Sequence, residues 1–326
     1  MFASKTVKEL RCECRARGVR GYSGVRRGGL VELLEAAVGG GGGGQPAVTV
    51  GVHVFKRGDM AASIGEARGV CPLDAIQIFT HGPRTMVRGV MDYAAVRGAA
   101  KGIRLYVHSS YPTNPWNGKR AVINHTLDQF RSSLELGARG VVLHIPKMGP
   151  DEVAAGVEGL VGELRRAGLM EGQRVILEMK AVRRHETKSY ESPEKIDRLV
   201  EALVARGLGS GCVGICIDTA HIYAGGANIR TYEAGVRYLG ALRHKGWVCL
   251  LHLNGNEYDA EKRAGDKHAI PLDGEDRVWR GVGYEGSGCR AFVEFARGHS
   301  IDYILEVKEH HTPRQIAAFV RKVGGA

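Results

Sequence analysis

No apolar run in the 326 residues approaches the roughly 20 that a bilayer-spanning helix needs, so a helical membrane protein is excluded. The opening stretch, MFASKTVKELRCECR, is charged and lacks the apolar core of a secretory signal. The chain is therefore expected to work inside a cell rather than be secreted. A disulfide framework is missing too: the seven cysteines (12, 14, 71, 212, 216, 249 and 289) are odd in number. Cys12 and Cys14 lie one residue apart, and no second pair follows at zinc-finger spacing. They read as reduced thiols, which leaves His, Asp and Glu to carry any metal chemistry. An acidic excess is absent as well. The chain holds 46 Lys and Arg against 35 Asp and Glu, a formal net charge of +11 with a pI near 9.4. Such a balance favours a polyanionic partner, nucleic acid above all, through phosphate neutralisation and counterion release. A cationic enzyme with no such partner is the alternative reading.

The chain is long enough for a barrel of about 250 residues plus a small module, and its 44% hydrophobic content suffices for a full core. The join is visible. Residues 39–44 are six consecutive glycines, followed by Gln45 and Pro46. A packed domain has no use for that much backbone entropy, so 39–47 reads as a flexible linker, the glycines spanning roughly 13 Å r.m.s.. Ahead of it, residues 1–38 hold eight Lys and Arg against four Glu, a net of +4. Thr6 is placed to cap a helix with Glu9 at the capping-box position, and Val7, Leu10 and Cys14 fall at helical spacing. A turn, GVRGYSGVRRGG, then leads to a second short helix, LVELLEAAV.

After the linker, β-branched runs alternate with helical patterns. Strands are expected at Val50–Val54, Ala75–Phe79, Arg104–Val107, Gly140–His144, Val175–Glu178, Val213–Ile217, Val248–Leu253 and Tyr303–Val307. Intervening stretches such as Asp151–Ala167 and Pro193–Arg206 suit crossover helices. Eight such units predict an α/β fold, a (β/α)8 TIM barrel whose active site lies at the C-terminal ends of its strands. Polar residues stand at those ends: His108, His144, Glu178, Asp218 with His221 after it, His252 and Glu306. One such residue alone reads as a satisfied core group. Six at one mouth would repel and desolvate one another without cations between them. Imidazole with carboxylate suits zinc; manganese or iron fits less well, magnesium or calcium poorly. Asp266 and His268, two residues apart, make with His221 a further set of three ligands that leaves a position open. His53, Gln77 and Asn254 belong either at the mouth or behind the ligands.

The segments GVHV (51–54), QIFTHGPR (77–84), VHSSYPTN (107–114), LGARGVVLH (136–144), ILE (176–178), GICIDTAHIYAGG (214–226), LLHLNGN (250–256), DKH (266–268) and ILEVK (304–308) are similar to a known pattern. Residues 48–320 resemble the endonuclease IV family of apurinic/apyrimidinic endonucleases, on a barrel of the xylose-isomerase-like kind. Residues 1–38 resemble a SAP module, a small helical DNA-binding motif. A non-binding helical extension is the other reading of that segment.

The resemblance implies three Zn2+ ions, with Mn2+ an option at one site. His108 and His144 match ligands of the first, and Glu178 bridges it to the second. Asp218, His252 and Glu306 complete the second, and His221, Asp266 and His268 hold the third. Glu178 would orient the hydroxide that attacks the phosphate 5′ to an abasic sugar, leaving a 3′-hydroxyl and a 5′-deoxyribose phosphate. The implied partner is duplex DNA with abasic sites, in a nucleus or another DNA-containing compartment, met by a monomer. Arg84 and Tyr111 match residues that insert into or line the DNA. Arg26 and Arg27 fall near the SAP contact, although Gly28 and Gly29 separate them from the second helix. The chain departs from the family pattern in three places. It has Asn254-Gly255-Asn256 for the usual Asn-Asp-Ser, Glu178-Met179-Lys180 for Glu-Asn-Thr, and AIPLDGE (269–275) for a Gly-rich stretch. A metal-dependent sugar isomerase or epimerase of the same barrel superfamily is the rival reading.

Overall fold

The computed structural model describes residues 6, 7, 9, 10, 27, 30, 31, 50–181, 189–259, 265, 267–306 and 313–324. Cys12, Cys14, Arg26, the glycine run 39–44 and Asp266 lie outside these residues. The chain divides into two units, Met1–Ala47 and Val48–Ala326.

In the first unit Thr6 opens a helix. Its Oγ1 accepts from Glu9 N–H (3.3 Å), while the Glu9 carboxylate accepts from Thr6 N–H (2.7 Å). That reciprocal pair is a capping box, satisfying two backbone donors at the helix start. Leu10 and Leu30 are buried, whereas Val7, on the same helical stripe by sequence, is exposed.

The second unit is a closed barrel of eight parallel strands. These are β1 (Val50–Val54), β2 (Leu73–Phe79), β3 (Arg104–His108), β4 (Gly140–His144), β5 (Arg174–Glu178), β6 (Val213–Asp218), β7 (Val248–His252) and β10 (Asp302–Leu305). Their order around the barrel is β1-β10-β7-β6-β5-β4-β3-β2. Two further short strands, β8 (Gly255–Asn256) and β9 (His268–Ala269), pair antiparallel outside it. The last barrel strand ends earlier than its apolar run suggests. Glu306 N–H donates to the Asn254 side-chain oxygen (2.9 Å), which draws the backbone out of the ladder.

Alternation along the strands serves two cores. Val142, Ile176, Cys216, Leu250 and Ile304 face the barrel interior with Ala75 and Tyr106. Val141, Leu143, Val175, Leu177, Ile215 and Ile217 face outward, and Val153, Val157, Leu160 and Leu164 of the helix Pro150–Arg166 pack in the same cluster. Helix starts are fixed locally. Ser192 caps the helix Pro193–Ala205 through Lys195 N–H, with proline in its first turn. Among the described residues no helix is long and apolar enough to cross a membrane.

Polar side chains close the N-terminal end of the barrel. Arg104, at the start of β3, donates from Nε to both Asp302 oxygens at 2.7 Å, and Tyr106 OH donates to Oδ2 at 2.7 Å. Depth and charge at the opposite end are thus left to the C-terminal strand ends.

Candidate metal centre at the barrel mouth

Parallel register places the strand-terminal residues in one layer. His144 lies opposite Glu178 across β4 and β5, and Asp218 opposite His252 across β6 and β7. His108 ends β3, and Glu306 follows β10 by one residue. Asp218 also caps the short helix Thr219–Ala224, accepting from His221 N–H at 3.0 Å, so the cap delivers His221 to the same mouth. His268 arrives on β9, opposite Asn256 of β8.

Among the described residues three groups of potential ligand atoms result, the atoms of each lying within 4.8 Å of one another: His108, His144 and Glu178; Glu178, Asp218, His252 and Glu306; and Asp218, His221 and His268. Glu178 belongs to two of them. Its Oε2 faces His108 Nε2 (3.2 Å) and His144 Nε2 (3.1 Å), and its Oε1 faces His252 Nδ1 (3.0 Å). Asp218 is likewise shared, between the second and third groups.

The histidines are oriented from behind. His108 Nδ1 faces the Ser109 carbonyl at 2.7 Å, and His221 Nδ1 the Met179 carbonyl at 2.6 Å. A carbonyl can only accept, so each Nδ1 carries the proton and each Nε2 lone pair is turned to the mouth. His252 is reversed: its Nε2 faces Gln77 Oε1 at 3.0 Å, which leaves Nδ1 toward Glu178. Gln77 then spends its own donor on Glu306 Oε1 (2.8 Å) and lies 2.9 Å from His53 Nδ1. Asn254 donates to Asp218 Oδ2 (2.7 Å) and Glu306 Oε2 (3.2 Å). Gln77, Asn254 and His53 therefore stand behind the ligand atoms.

Burial opposes ionisation of Glu178, yet His144, His252 and His108 hold its carboxyl well below the usual carboxylate range. Glu306 is likewise held well below that range, burial again opposed, chiefly by His252. Asp218 moves the other way: burial raises it, His221 and His268 pull against that, and Glu178 and Glu306 add to it. Three carboxylates at such spacing are a site for cations. Imidazole nitrogens with preset tautomers, beside carboxylate oxygens, fit zinc among the divalent ions.

Tyr111 is 52% exposed on the loop after β3, its ring 6.0 Å from His144 with planes 20° apart. Its N–H donates to the Pro83 carbonyl at 2.8 Å, tying that loop to the one carrying exposed Arg84. Arg27 is exposed in the first unit, while Arg26 lies outside the described residues, as does Asp266.

No family model matches the chain. A probable AP endonuclease of African swine fever virus (isolate Tick/Malawi/Lil 20-1/1983) is 30% identical over 259 residues, 75% of this chain and 82% of that protein. The chain belongs to the AP endonuclease family. A probable endonuclease 4 of Natronomonas pharaonis is 26% identical over 285 residues, 79% of this chain and 91% of that one. Among solved structures, AsfvAP:AG superposes with a TM-score of 0.70 at 22% identity, over 86% of this chain and 97% of that one. A xylose isomerase domain containing protein from Salmonella typhimurium LT2 reaches 0.59 at 15% identity, over 86% and 98%. These last two likenesses concern the fold.

Two residues of this AP endonuclease-family site were not singled out from the sequence. Thr219 Oγ1 donates to the Asn254 carbonyl (2.7 Å) and accepts from Asn254 N–H (2.8 Å), locking β6 to the segment after β7. Trp116 donates from Nε1 to the His144 carbonyl at 3.2 Å. Thr219 follows Asp218 directly, so its position was a usable hint. Trp116 acts across 28 residues, and nothing local marks it.

Proposed function

We propose that this protein is a DNA-repair endonuclease that hydrolyses the phosphodiester bond 5′ to an abasic site in duplex DNA. The observation that carries the reading is the chain of three ligand groups sharing Glu178 and Asp218 at the mouth. The family membership and the net charge of +11 favour DNA as the substrate. His108, His144 and Glu178 would hold one zinc, Glu178, Asp218, His252 and Glu306 a second, and His221 and His268 a third, with Asp266 assigned there on sequence grounds. Bound there, the ions would supply a water of lowered pKa, neutralise phosphate charge and stabilise the leaving oxygen.

The chain's own residues do the rest. Glu178, fixed between three imidazoles, orients the water nucleophile between the first two groups. Gln77 and Asn254 keep Glu306 and Asp218 aimed inward, so the mouth is organised before the substrate arrives. Arg84 and Tyr111, exposed on two tied loops, are placed to meet the backbone and fill the stack where a base is missing. A nucleotide without its base is the least costly to extrude, which gives selectivity without reading sequence.

A labelled duplex with one tetrahydrofuran residue tests this. Zinc-loaded protein is expected to cut 5′ to the lesion, leave a 3′-hydroxyl and lose activity after chelation. Intact duplex, together with turnover of a ketose or aldose, would hand the site to the sugar-isomerase reading.

Residues 1–38 are read as a DNA-binding module on the tether 39–47. Its capped helix, buried Leu10 and Leu30 and net charge of +4 support this. Tethering raises the local concentration of DNA at the barrel without touching the chemistry. Deleting residues 1–47 is expected to weaken binding to long duplexes and flatten the salt dependence of affinity, by about 0.9 in slope per lost phosphate contact. Single-turnover cutting of a short duplex should not change. Equal affinity of the two forms would retire the module's role.

A further inference from the structure

Two of the chain's departures from the family pattern, Gly255 and the stretch 269–275, meet at one buried residue. Asp276 is fully buried. Its Oδ1 accepts from Val278 N–H (2.8 Å) and Asn256 N–H (3.3 Å), and its Oδ2 from Leu272 N–H (2.8 Å) and Trp279 N–H (3.2 Å). Four backbone donors thus converge on one carboxylate, folding residues 272–279 around it. Burial pushes its carboxyl up to about 6, although all four donors pull the other way. A group kept buried against that penalty has a structural task.

The task shows at Gly255. A Cβ there would lie 2.6 Å from both Cγ and Oδ1 of Asp276, closer than packed atoms approach. Position 255 therefore holds no side chain while Asp276 is in place, and the Asp276 carboxylate fills that space. Next to it, Asn256 accepts at its carbonyl from Arg277 N–H (2.7 Å). Its side-chain amide donates to the carbonyls of Gly265 (3.1 Å) and Ala220 (3.4 Å). Ala220 precedes His221, and Asn256 is the register partner of His268. A path of hydrogen bonds and strand pairing so runs from Asp276 through Asn256 to the backbone that carries both histidines of the third group.

We propose that Asp276 and the side-chain-free position at Gly255 form one interlock that sets His268 against His221, making Asp276 a positioning residue for the third metal site. This rests on the three-group reading of the mouth. Asp276 is fully buried and bound by backbone N–H groups, so it acts behind the site rather than at it. It acts by holding the strand pair β8–β9, on which His268 sits, at a fixed height above the helix carrying His221.

The test is a double-mutant cycle in the full chain: Asp276→Ala, Gly255→Asp and the two together. Bound zinc is counted after dialysis against a weak chelator, with thermal unfolding and single-turnover incision alongside. Each single change is expected to lower zinc affinity at one site of three by about 10- to 100-fold, the effect of a partner lying behind a ligand. The other two zincs should stay, and kcat should fall with little change in KM. The double variant should recover part of both losses, because the new carboxylate enters the vacated space from the other side. Should Asp276→Ala not fold, Asp276→Asn serves: it keeps an acceptor for two of the four N–H groups and should lose zinc to an intermediate degree. Losses that simply add in the double variant, or three zincs held at full affinity by Asp276→Ala, would overturn the interlock. Should the unaltered chain bind fewer than three zincs or leave abasic DNA uncut, the proposed function fails instead. Coupling in thermal stability then still decides whether Gly255 and Asp276 are one unit.

Discussion

Glu178→Gln is expected to cut abasic-analogue duplex more than about 100-fold slower than the unaltered chain, since residues lying behind a ligand already reach that loss. The substitution conserves shape but removes the charge and exchanges one acceptor oxygen for an NH2 donor. Glu178 is fully buried, with His108, His144 and His252 each within 3.2 Å of its oxygens. An amide offers one acceptor and turns its NH2 toward imidazole nitrogens that have themselves to present lone pairs. Two of the three ligand groups are therefore damaged by a single atom's change. Zinc content should fall with activity, and thermal unfolding should show whether the protein stays folded. Should Glu178→Gln cut at the normal rate with full zinc content, the shared-carboxylate assignment is wrong.

The second large effect lies at the other end of the barrel and concerns stability alone. Asp302→Ala removes the acceptor for the Tyr106 hydroxyl and the nearer carboxylate on Arg104, leaving a largely buried phenol unpaired and the guanidinium with Asp74 alone, at 3.4 Å. Breaking one side of a buried ion pair costs about 3–5 kcal/mol. Arg104 keeps 32% exposure and its contact with Asp74, which offset part of that, while the orphaned phenol adds to it, so about 3 kcal/mol is expected. For a barrel of this size the midpoint of thermal unfolding should drop on the order of 5–10 °C. Zinc content and single-turnover cutting at low temperature should hold, because the site sits at the opposite strand ends. An equal loss of zinc would show that floor and mouth are not separable.

The contrast between these two ends follows how each is written in the chain. Six of the barrel strands, β3 to β7 and β10, are largely apolar runs of four to six residues, and the polar residue at or just after their end is visible where the run stops. His108, His144, Glu178, Asp218 and His252 could be read this way because parallel strands of one barrel finish at one level. Glu306 was legible too, although its strand stops one residue before it, once Asn254 takes its N–H. The floor was not legible. Arg104 and Asp302 open their strands 198 residues apart, and each alone resembles an ordinary surface charge.

Local order along the chain thus determined the repeat, the barrel, the polar strand ends and the glycine break after residue 38. Ring orientation, tautomer and sharing were decided only in three dimensions. Whether a histidine offers Nδ1 or Nε2 depends on which carbonyl or amide closes its other side, as Gln77 does for His252 across 175 residues. Asp276 and Gly255 make the same point in packing: a carboxylate in one loop and a missing side chain in another have meaning only where they touch. Short-range pattern is carried by neighbours in sequence, whereas hydrogen-bond partners and excluded volume belong to neighbours in space.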